Sequence, residues 1–137
     1  NQIDAFIKSH RLEKRVHLLH DVTFQYLPAI YQQAEIFVYP SRFEGFGIPI
    51  IEALHSAIPV IAATGSCLEE AGGPDSLYVH PDDKEGMTKA ICSLLNHPEK
   101  RQHMIEQGLK YVTRFSEQRQ AEELMNLYRS LTEEKTI

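Results

Sequence analysis

Residues 35–63, EIFVYPSRFEGFGIPIIEALHSAIPVIAA, contain two short apolar segments separated by a loop and a helical pattern. The segments 35–40 and 59–63 are rich in β-branched and aromatic residues, and Pro40 ends the first of them, which predicts two buried strands. Pro49 lies near the start of the helical segment 49–56, where a helix needs no amide hydrogen. A strand, a helix and a second strand in this order predict parallel strands joined by a crossover helix.

The same alternation continues on both sides of this stretch. Further strands are predicted at 16–20 (VHLLH) and 76–80 (SLYVH), and helices at 2–12 and 27–34. Three more helices follow: one that begins with the capping-box-like DDKE at Asp82, one that begins at Pro98, and one that Ser116 caps. We therefore expect an α/β, Rossmann-like fold, a mostly parallel sheet with helices on both faces, in one domain that spans residues 1–137.

Two of the predicted helices carry an apolar stripe. The helix after Asp82 has its stripe at positions 87, 90, 91, 94 and 95, which should pack on the sheet. The stripe of the last helix consists of Ala121, Leu124, Met125, Tyr128 and Leu131.

Composition and charge disfavour several classes of function. The 137 residues include 14 basic and 19 acidic side chains, and the net charge of −5 argues against nucleic-acid binding. The apolar stretches are too short for a membrane span, and no signal-peptide pattern opens the sequence. Cys67 and Cys92 form no CxxC pair, so we expect reduced thiols and a cytoplasmic location. Neither a histidine cluster nor an Asp-x-Asp pair occurs, and no metal site is expected.

Two glutamates flank the loop where a ligand is expected. In parallel sheets, ligands bind beyond the carboxyl ends of the strands, and residues 40–47 follow such an end. Glu44 lies in this loop and Glu52 about one turn into the next helix. A charged carboxylate is a strong acceptor for the hydroxyls of a sugar. Alternatively, Glu52 only favours the helix dipole and Glu44 is a solvated loop acid.

The residues between the glutamates favour an anion. Gly45 and Gly47 allow a sharp turn and a close approach of the backbone to a ligand. The amides of Phe46, Gly47 and Ile48 lie near a helix N-terminus, which attracts groups such as a diphosphate. Amides for phosphate with carboxylates for hydroxyls on both sides suit a sugar–diphosphate–ribose ligand.

The stretch PSRFEGFGIPIIEALHSAIPVIA (40–62), with seven residues between Glu44 and Glu52, resembles the signature of the retaining GT-B-fold glycosyltransferases of the GT4 family. The resemblance extends to VHLLHDV (16–22), LPAIYQQAEIFVYPS (27–41) and GSCLEEAGGPDSLYVHPDD (65–83), and covers essentially all of the chain. Three positions depart from the family pattern: His20 and Ala57 replace usual glycines, and Glu69 replaces a common proline.

The resemblance implies an enzyme that transfers a hexose from a nucleotide-sugar, such as a UDP- or GDP-hexose, to a glycan or lipid-linked acceptor without a metal. It implies a catalytic role for Glu44 at the donor-sugar hydroxyls and places the ribose at Glu52. Sugar and diphosphate would lie along the donor-binding residues Gly45, Phe46, Gly47 and Ile48.

The resemblance also implies that residues 1–137 are an incomplete second domain of a GT-B fold. An N-terminal domain outside the sequence would bind the acceptor, and a peripheral membrane contact of the full-length enzyme stays open. Two strands and a basic pair of the family's second domain would also be absent, so we expect little turnover from these residues alone. The sheet would then have a gap between 16–20 and 35–40, or these two strands would pair directly.

Two rival functions remain. A retaining glycosidase would use Glu44 and Glu52 as a pair of carboxyls about 5 to 5.5 Å apart. A non-catalytic Rossmann-like binding or interaction module would have the same fold without the chemistry. Binding of a nucleoside diphosphate would favour the transferase over both.

Overall fold

The computed structural model describes residues 2–133, so residue 1 and residues 134–137 of the predicted domain 1–137 lie outside the described part. Three strands form the sheet: β1 (Phe37–Tyr39), β2 (Val60–Ala63) and β3 (Leu77–Val79). The helices are α1 (Gln2–Ser9), α2 (Leu27–Gln32), α3 (Ile48–His55), α4 (Leu68–Gly72), α5 (Lys84–Asn96), α6 (Pro98–Val112) and α7 (Glu117–Glu133). Short 3₁₀ turns precede α2 at Phe24–Tyr26 and α7 at Thr113–Phe115.

The three strands are parallel and lie in the order β1-β2-β3. Phe37 pairs with Val60, and Ile61 pairs with Leu77, so β2 is the central strand and all four of its residues are buried. The helices α3 and α4 provide the crossovers between successive strands. The predicted parallel strands within 35–40, 59–63 and 76–80 are thus confirmed, each shorter than its apolar segment.

Helices cover both faces of the sheet. On one face, Val60 and Ala62 pack with Ile50 and Leu54 of α3 and with Leu68 of α4. Side chains of α5 and α6 cover the opposite face around Ile61, and they include the fully buried Leu94 and the buried Met104. These contacts confirm the predicted Rossmann-like α/β fold.

The prediction of a strand at 16–20 is wrong. The segment is irregular, and Val16, Leu18 and Leu19 are exposed. Within residues 2–133 no strand lies beside the outer edge of β1, and the segment does not pair with β1 either. An apolar segment becomes a stable strand only when a neighbouring strand satisfies its backbone groups, and 16–20 has no such neighbour.

Helix ends differ from the predictions in two places. The cap of α5 is Asp83, whose side chain accepts a hydrogen bond of 2.8 Å from the amide of Gly86, and not Asp82. The short helix α4 was not predicted. Ser116 does precede α7, and its hydroxyl accepts from the Arg119 amide at 3.4 Å.

The two apolar stripes have different environments. Met87, Ala90, Ile91 and Leu94 pack in the core beneath β2 and β3 as predicted, whereas Leu95 is about half exposed. The stripe of α7 is exposed along its length, including Leu124, Met125, Tyr128 and Leu131.

The turn from α3 into β2 contains a strained residue. The amide of Ala57 donates to Leu54 and the amide of Ile58 to Ala53, both at 3.1 Å, which is the Schellman arrangement that ends many helices. The residue that turns the chain there adopts a left-handed backbone, and glycine is usual. Here it is Ala57, with a φ of 59° and an exposed side chain.

Candidate functional site

The loop of residues 40–47 connects the carboxyl end of β1 to the first residue of α3. Glu44 lies in this loop, and Gly47 is the N-cap residue of α3. The sheet therefore places both residues at its carboxyl edge, as the sequence predicts. Glu52 follows on the second turn of α3.

Gly47 is needed at its position for two separate reasons. Its φ of 98° lies in the left-handed region, where a side chain is strained. A Cβ atom there would also lie 2.9 Å from Cδ2 of Leu68 and 3.2 Å from Cβ of Ala71, both on α4. Gly45, in contrast, has no atom within 4 Å of such a Cβ, so its outer side is open.

Three backbone amides at the start of α3 have no hydrogen-bond acceptor within the described residues. Within the described residues, the amides of Phe46, Gly47 and Ile48 donate to no acceptor of the protein. The next amide of the turn, that of Ile50, is already bonded to the carbonyl of Gly47 at 2.9 Å. Free amides at the positive end of a helix form a favourable environment for an anion.

The carboxylate of Glu44 is bonded on one oxygen. The phenol of Tyr39 donates to Oε1 at 2.5 Å, and the hydroxyl of Ser41 donates to the same oxygen at 2.9 Å. In the described part of the chain, no group donates to Oε2. The Tyr39 phenol, and then the Ser41 hydroxyl, lower the pKa of Glu44 from its ordinary value. The bond to Glu44, together with burial, raises the pKa of Tyr39 to about 12.

Glu52 is bonded in a similar way and borders a cleft. The phenol of Tyr31 donates to its Oε2 at 3.1 Å. Burial, and then this bond to Glu52, raise the pKa of Tyr31 to about 12. The cleft has a volume of about 320 Å³, lies between α2 and α3, and is lined by Phe24, Leu27, Pro28, Tyr31, Gln32, Glu52, His55 and Ser56. Glu44 does not line this cleft.

The two tyrosines belong to one row of aromatic rings. Tyr31 contacts Phe37 with ring centroids 5.4 Å apart, and Phe37 stacks on Tyr39 at 5.7 Å. The row runs from α2 along β1, and each end donates a phenol hydrogen bond to one of the two glutamates.

Three further contacts join the loop to other segments of the chain. Arg42 forms a bidentate ion pair with Asp82, which follows β3, and one of its two bonds is 3.0 Å long. The thiol of Cys67, which precedes α4, donates to the backbone carbonyl of Glu44 at 3.2 Å. The ring of Phe46 meets the ring of Phe115 edge-on at 5.5 Å. The loop is thus attached to the segments after β2, after β3 and after α6.

Sequence reasoning found the two glutamates and the glycine-rich loop but missed Tyr31, Tyr39, Arg42 and Cys67. Tyr39 ends an apolar strand and carries a polar tip, a pattern that could have marked it. The ion pair of Arg42 joins residues 40 positions apart and has no local signal. The roles of Glu44, Glu52 and the loop residues toward a ligand stay predictions.

The described residues offer neither a metal site nor a membrane-spanning helix. No group of three or more His, Cys, Asp or Glu residues in this part of the chain is arranged to hold a metal ion. None of its helices combines the length and the apolar character that a membrane crossing requires.

The chain was compared with protein families and with curated proteins. The sequence model of the family described as "Glycosyl transferases group 1" matches residues 1–111. O-antigen chain mannosyltransferase RfbU of Salmonella typhimurium is 41% identical over 88 residues, which are 64% of this chain and 25% of that protein. O-antigen chain mannosyltransferase B of Escherichia coli is 33% identical over 105 residues, 77% of this chain and 28% of that protein.

A D-inositol 3-phosphate glycosyltransferase of Corynebacterium aurimucosum is 34% identical over 119 residues, 85% of this chain and 28% of that protein. The chain therefore spans about a quarter of the length of the curated relatives it matches.

Two solved structures have a similar fold. Sucrose-phosphate synthase from Thermosynechococcus elongatus superposes with a TM-score of 0.82 at 28% identity, over 98% of this chain and 34% of that chain. The C-terminal domain of a glycosyl transferase group 1 family protein (LpcC) from Francisella tularensis superposes with a TM-score of 0.70 at 24% identity, over 83% of this chain and 60% of that domain.

Proposed function

The chain belongs to the group 1 glycosyltransferases and has the C-terminal domain fold of their GT-B members, and from that premise we propose that it holds the nucleotide-sugar donor of a retaining glycosyltransferase. The enzyme transfers a hexose to a glycan or lipid-linked acceptor. In this proposal the acceptor binds mainly to a part of the enzyme beyond these 137 residues.

One observation carries the proposal: along the chain, three backbone amides without a protein acceptor are flanked by two carboxylates that each have one oxygen without a protein donor in the described residues. A diphosphate fits the amides of Phe46, Gly47 and Ile48, because they are donors at the positive end of α3. Hydroxyls fit the free oxygens of Glu44 and Glu52, because charge-assisted hydrogen bonds are stronger than neutral ones. The donor sugar then lies at Glu44 and the ribose at Glu52.

The geometry also supports a division of labour during transfer. Negative charge develops on the leaving diphosphate, and preorganised amides stabilise such charge without reorganisation. Glu44, whose pKa is lowered by the Tyr39 phenol and the Ser41 hydroxyl, orients the sugar. No metal is part of this scheme, in which the amides at the start of α3 stabilise the charge of the diphosphate.

The cleft beside Glu52 suits the nucleoside. Its walls are apolar and aromatic, with Phe24, Leu27 and Tyr31 among them, and such walls favour a flat ring system. A glycosidase would instead need both glutamates to face one bond, and Glu44 is not part of this cleft. Since two relatives are named mannosyltransferases, mannose is the first hexose to test.

Calorimetry on the full-length protein that contains these residues tests the assignment. Glu52→Gln removes charge-assisted bonds to the ribose, each worth roughly 1.5 to 3 kcal/mol, so the affinity for GDP or UDP should fall by about tenfold or more. Glu44→Gln should leave that affinity nearly unchanged and should reduce turnover of the nucleotide-sugar. Glu99→Gln, on the exposed first turn of α6, is the matched control and should change neither.

Two results would contradict the proposal. Equal losses of nucleoside diphosphate affinity in Glu44→Gln and Glu52→Gln would show that Glu44 does not bind the sugar alone while Glu52 binds the ribose. If neither variant loses nucleoside diphosphate affinity or turnover of the nucleotide-sugar, both glutamates have only a structural role.

A further inference from the structure

We propose that Tyr39 is a positioning residue for Glu44: its phenol fixes one carboxylate oxygen so that the other faces a hydroxyl of the donor sugar. This inference rests on the function proposed above, since it takes the donor sugar as the ligand of Glu44. It adds a residue outside the glycine-rich loop to the machinery of the site.

Tyr39 is suited to this role because its own position is fixed. It is the last residue of β1 and is paired with Ala62 of the fully buried central strand. Its ring stacks on Phe37 with an angle of 16° between the planes. A phenol held by a sheet and a stacked ring has little freedom to move away from its acceptor.

The arrangement of donors gives the carboxylate a direction. Tyr39 and Ser41 both donate to Oε1 of Glu44, at 2.5 and 2.9 Å. Two donors on one oxygen define the plane of the carboxylate, and Oε2 is then the oxygen that is left to accept from a ligand. Without the phenol, the side chain could rotate and present either oxygen to solvent.

A purely structural role for Tyr39 predicts a different result from its removal. The loop has other attachments: the ion pair between the side chains of Arg42 and Asp82, and the bond from Cys67 to the backbone carbonyl of Glu44. Tyr39→Phe keeps the stacked ring and these attachments and deletes only the phenol. Its effect should therefore appear at the carboxylate of Glu44 and not in the fold.

Full-length enzyme with Tyr39→Phe should be compared with wild type, Glu44→Gln and Tyr111→Phe. Tyr111→Phe is the matched control, because it also loses a phenol hydrogen bond, 2.6 Å long, but to the backbone carbonyl of Glu70. Turnover of GDP-mannose and UDP-glucose is measured against pH, and the affinity for GDP and UDP by calorimetry. A carbon-13 titration of the glutamate carboxyls, with Glu44 assigned from the Glu44→Gln spectrum, follows the pKa directly.

For Tyr39→Phe we expect turnover to fall about tenfold, as misorientation at a reacting centre does, with nucleoside diphosphate affinity unchanged. The pKa of Glu44 should rise, and the acid limb of the profile of turnover against pH should shift to higher pH with it. Ser41→Ala should change turnover and the pKa of Glu44 in the same direction as Tyr39→Phe, by a smaller amount. If Tyr39→Phe does not fold, Ser41→Ala provides the test. Tyr111→Phe should change neither the turnover nor the pKa of Glu44.

The failures of the two proposals are distinguishable. If Glu44→Gln loses turnover while Tyr39→Phe and Ser41→Ala retain wild-type turnover and pH profile, Tyr39 does not position Glu44 and the inference is overturned, whereas the donor-binding function stands. If Glu44→Gln itself retains full turnover, the proposed function fails and the inference fails with it.

Discussion

Replacing Ala57 by glycine should stabilise the protein, although it removes a methyl group. Ala57 turns the chain at the end of α3 with a φ of 59°, and its amide and that of Ile58 complete the Schellman bonds. A left-handed backbone places Cβ too close to the following carbonyl oxygen, which costs roughly 1 to 2 kcal/mol for a residue other than glycine. The side chain is exposed, so its loss removes little packing.

The expected gain is smaller than the strain. Glycine has more freedom in the unfolded chain than alanine, which offsets about 0.4 to 1 kcal/mol. The two ranges together leave an expected rise in the free energy of unfolding of about 0 to 1.6 kcal/mol, with a midpoint near 0.8 kcal/mol. For a chain of this size, the midpoint corresponds to an increase in Tm of about 2 to 4 °C.

Thermal and urea unfolding followed by circular dichroism provide the measurement. Ala5→Gly is the matched control, because Ala5 is also exposed but lies within α1, where glycine should destabilise by roughly 0.5 to 1 kcal/mol. A Tm for Ala57→Gly below that of wild type would show that the turn at Ala57 is not strained as described.

Three further predictions concern stability. Leu94→Ala should lower the free energy of unfolding by about 2 to 5 kcal/mol in urea unfolding, because Leu94 is fully buried under the sheet; an unchanged midpoint would contradict its burial. Gly47→Ala should lower it by at least about 1 kcal/mol, since the new methyl is strained and meets Leu68; wild-type stability would refute the need for glycine. The hydroxyl of Thr64, and then the amide of Gly65, lower the pKa of Glu69. The Tm of wild type should therefore exceed that of Glu69→Gln by its largest amount at pH values above the ordinary glutamate pKa, and this difference should shrink as the pH falls through the lowered pKa of Glu69. A Tm difference that does not change with pH would show that the ionisation of Glu69 does not stabilise the fold.

The fold was largely predictable because its signals are local. The apolar segments around Phe37, Ile61 and Leu77 lie between helical patterns, and a parallel sheet is the arrangement that such an alternation allows. Gly47 and Pro49 mark the start of α3 by their backbone requirements, which also located Glu44 and Glu52 on either side of that start.

Two of the misses have the same physical cause, which is that they depend on distant partners. The segment 16–20 is as apolar as a true strand, but strand formation requires a neighbour that the described residues do not supply. The phenol of Tyr31 reaches Glu52 across 21 positions, and no short-range pattern encodes that contact. The cap at Asp83 instead of Asp82 is a smaller error, because helix ends are uncertain by one or two residues from sequence.

The strand order has a consequence for how the molecule folds. Each strand pairs with the next one along the chain, so the segments that connect paired strands are short: Phe37 pairs with Val60, and Ile61 pairs with Leu77. Loop-closure entropy grows with loop length, and sequential pairing keeps the contact order low for a parallel sheet. Because β2 lies between β1 and β3 and all four of its residues are buried, we expect its amides to exchange their hydrogens with solvent most slowly and to mark the cooperative unit that opens last.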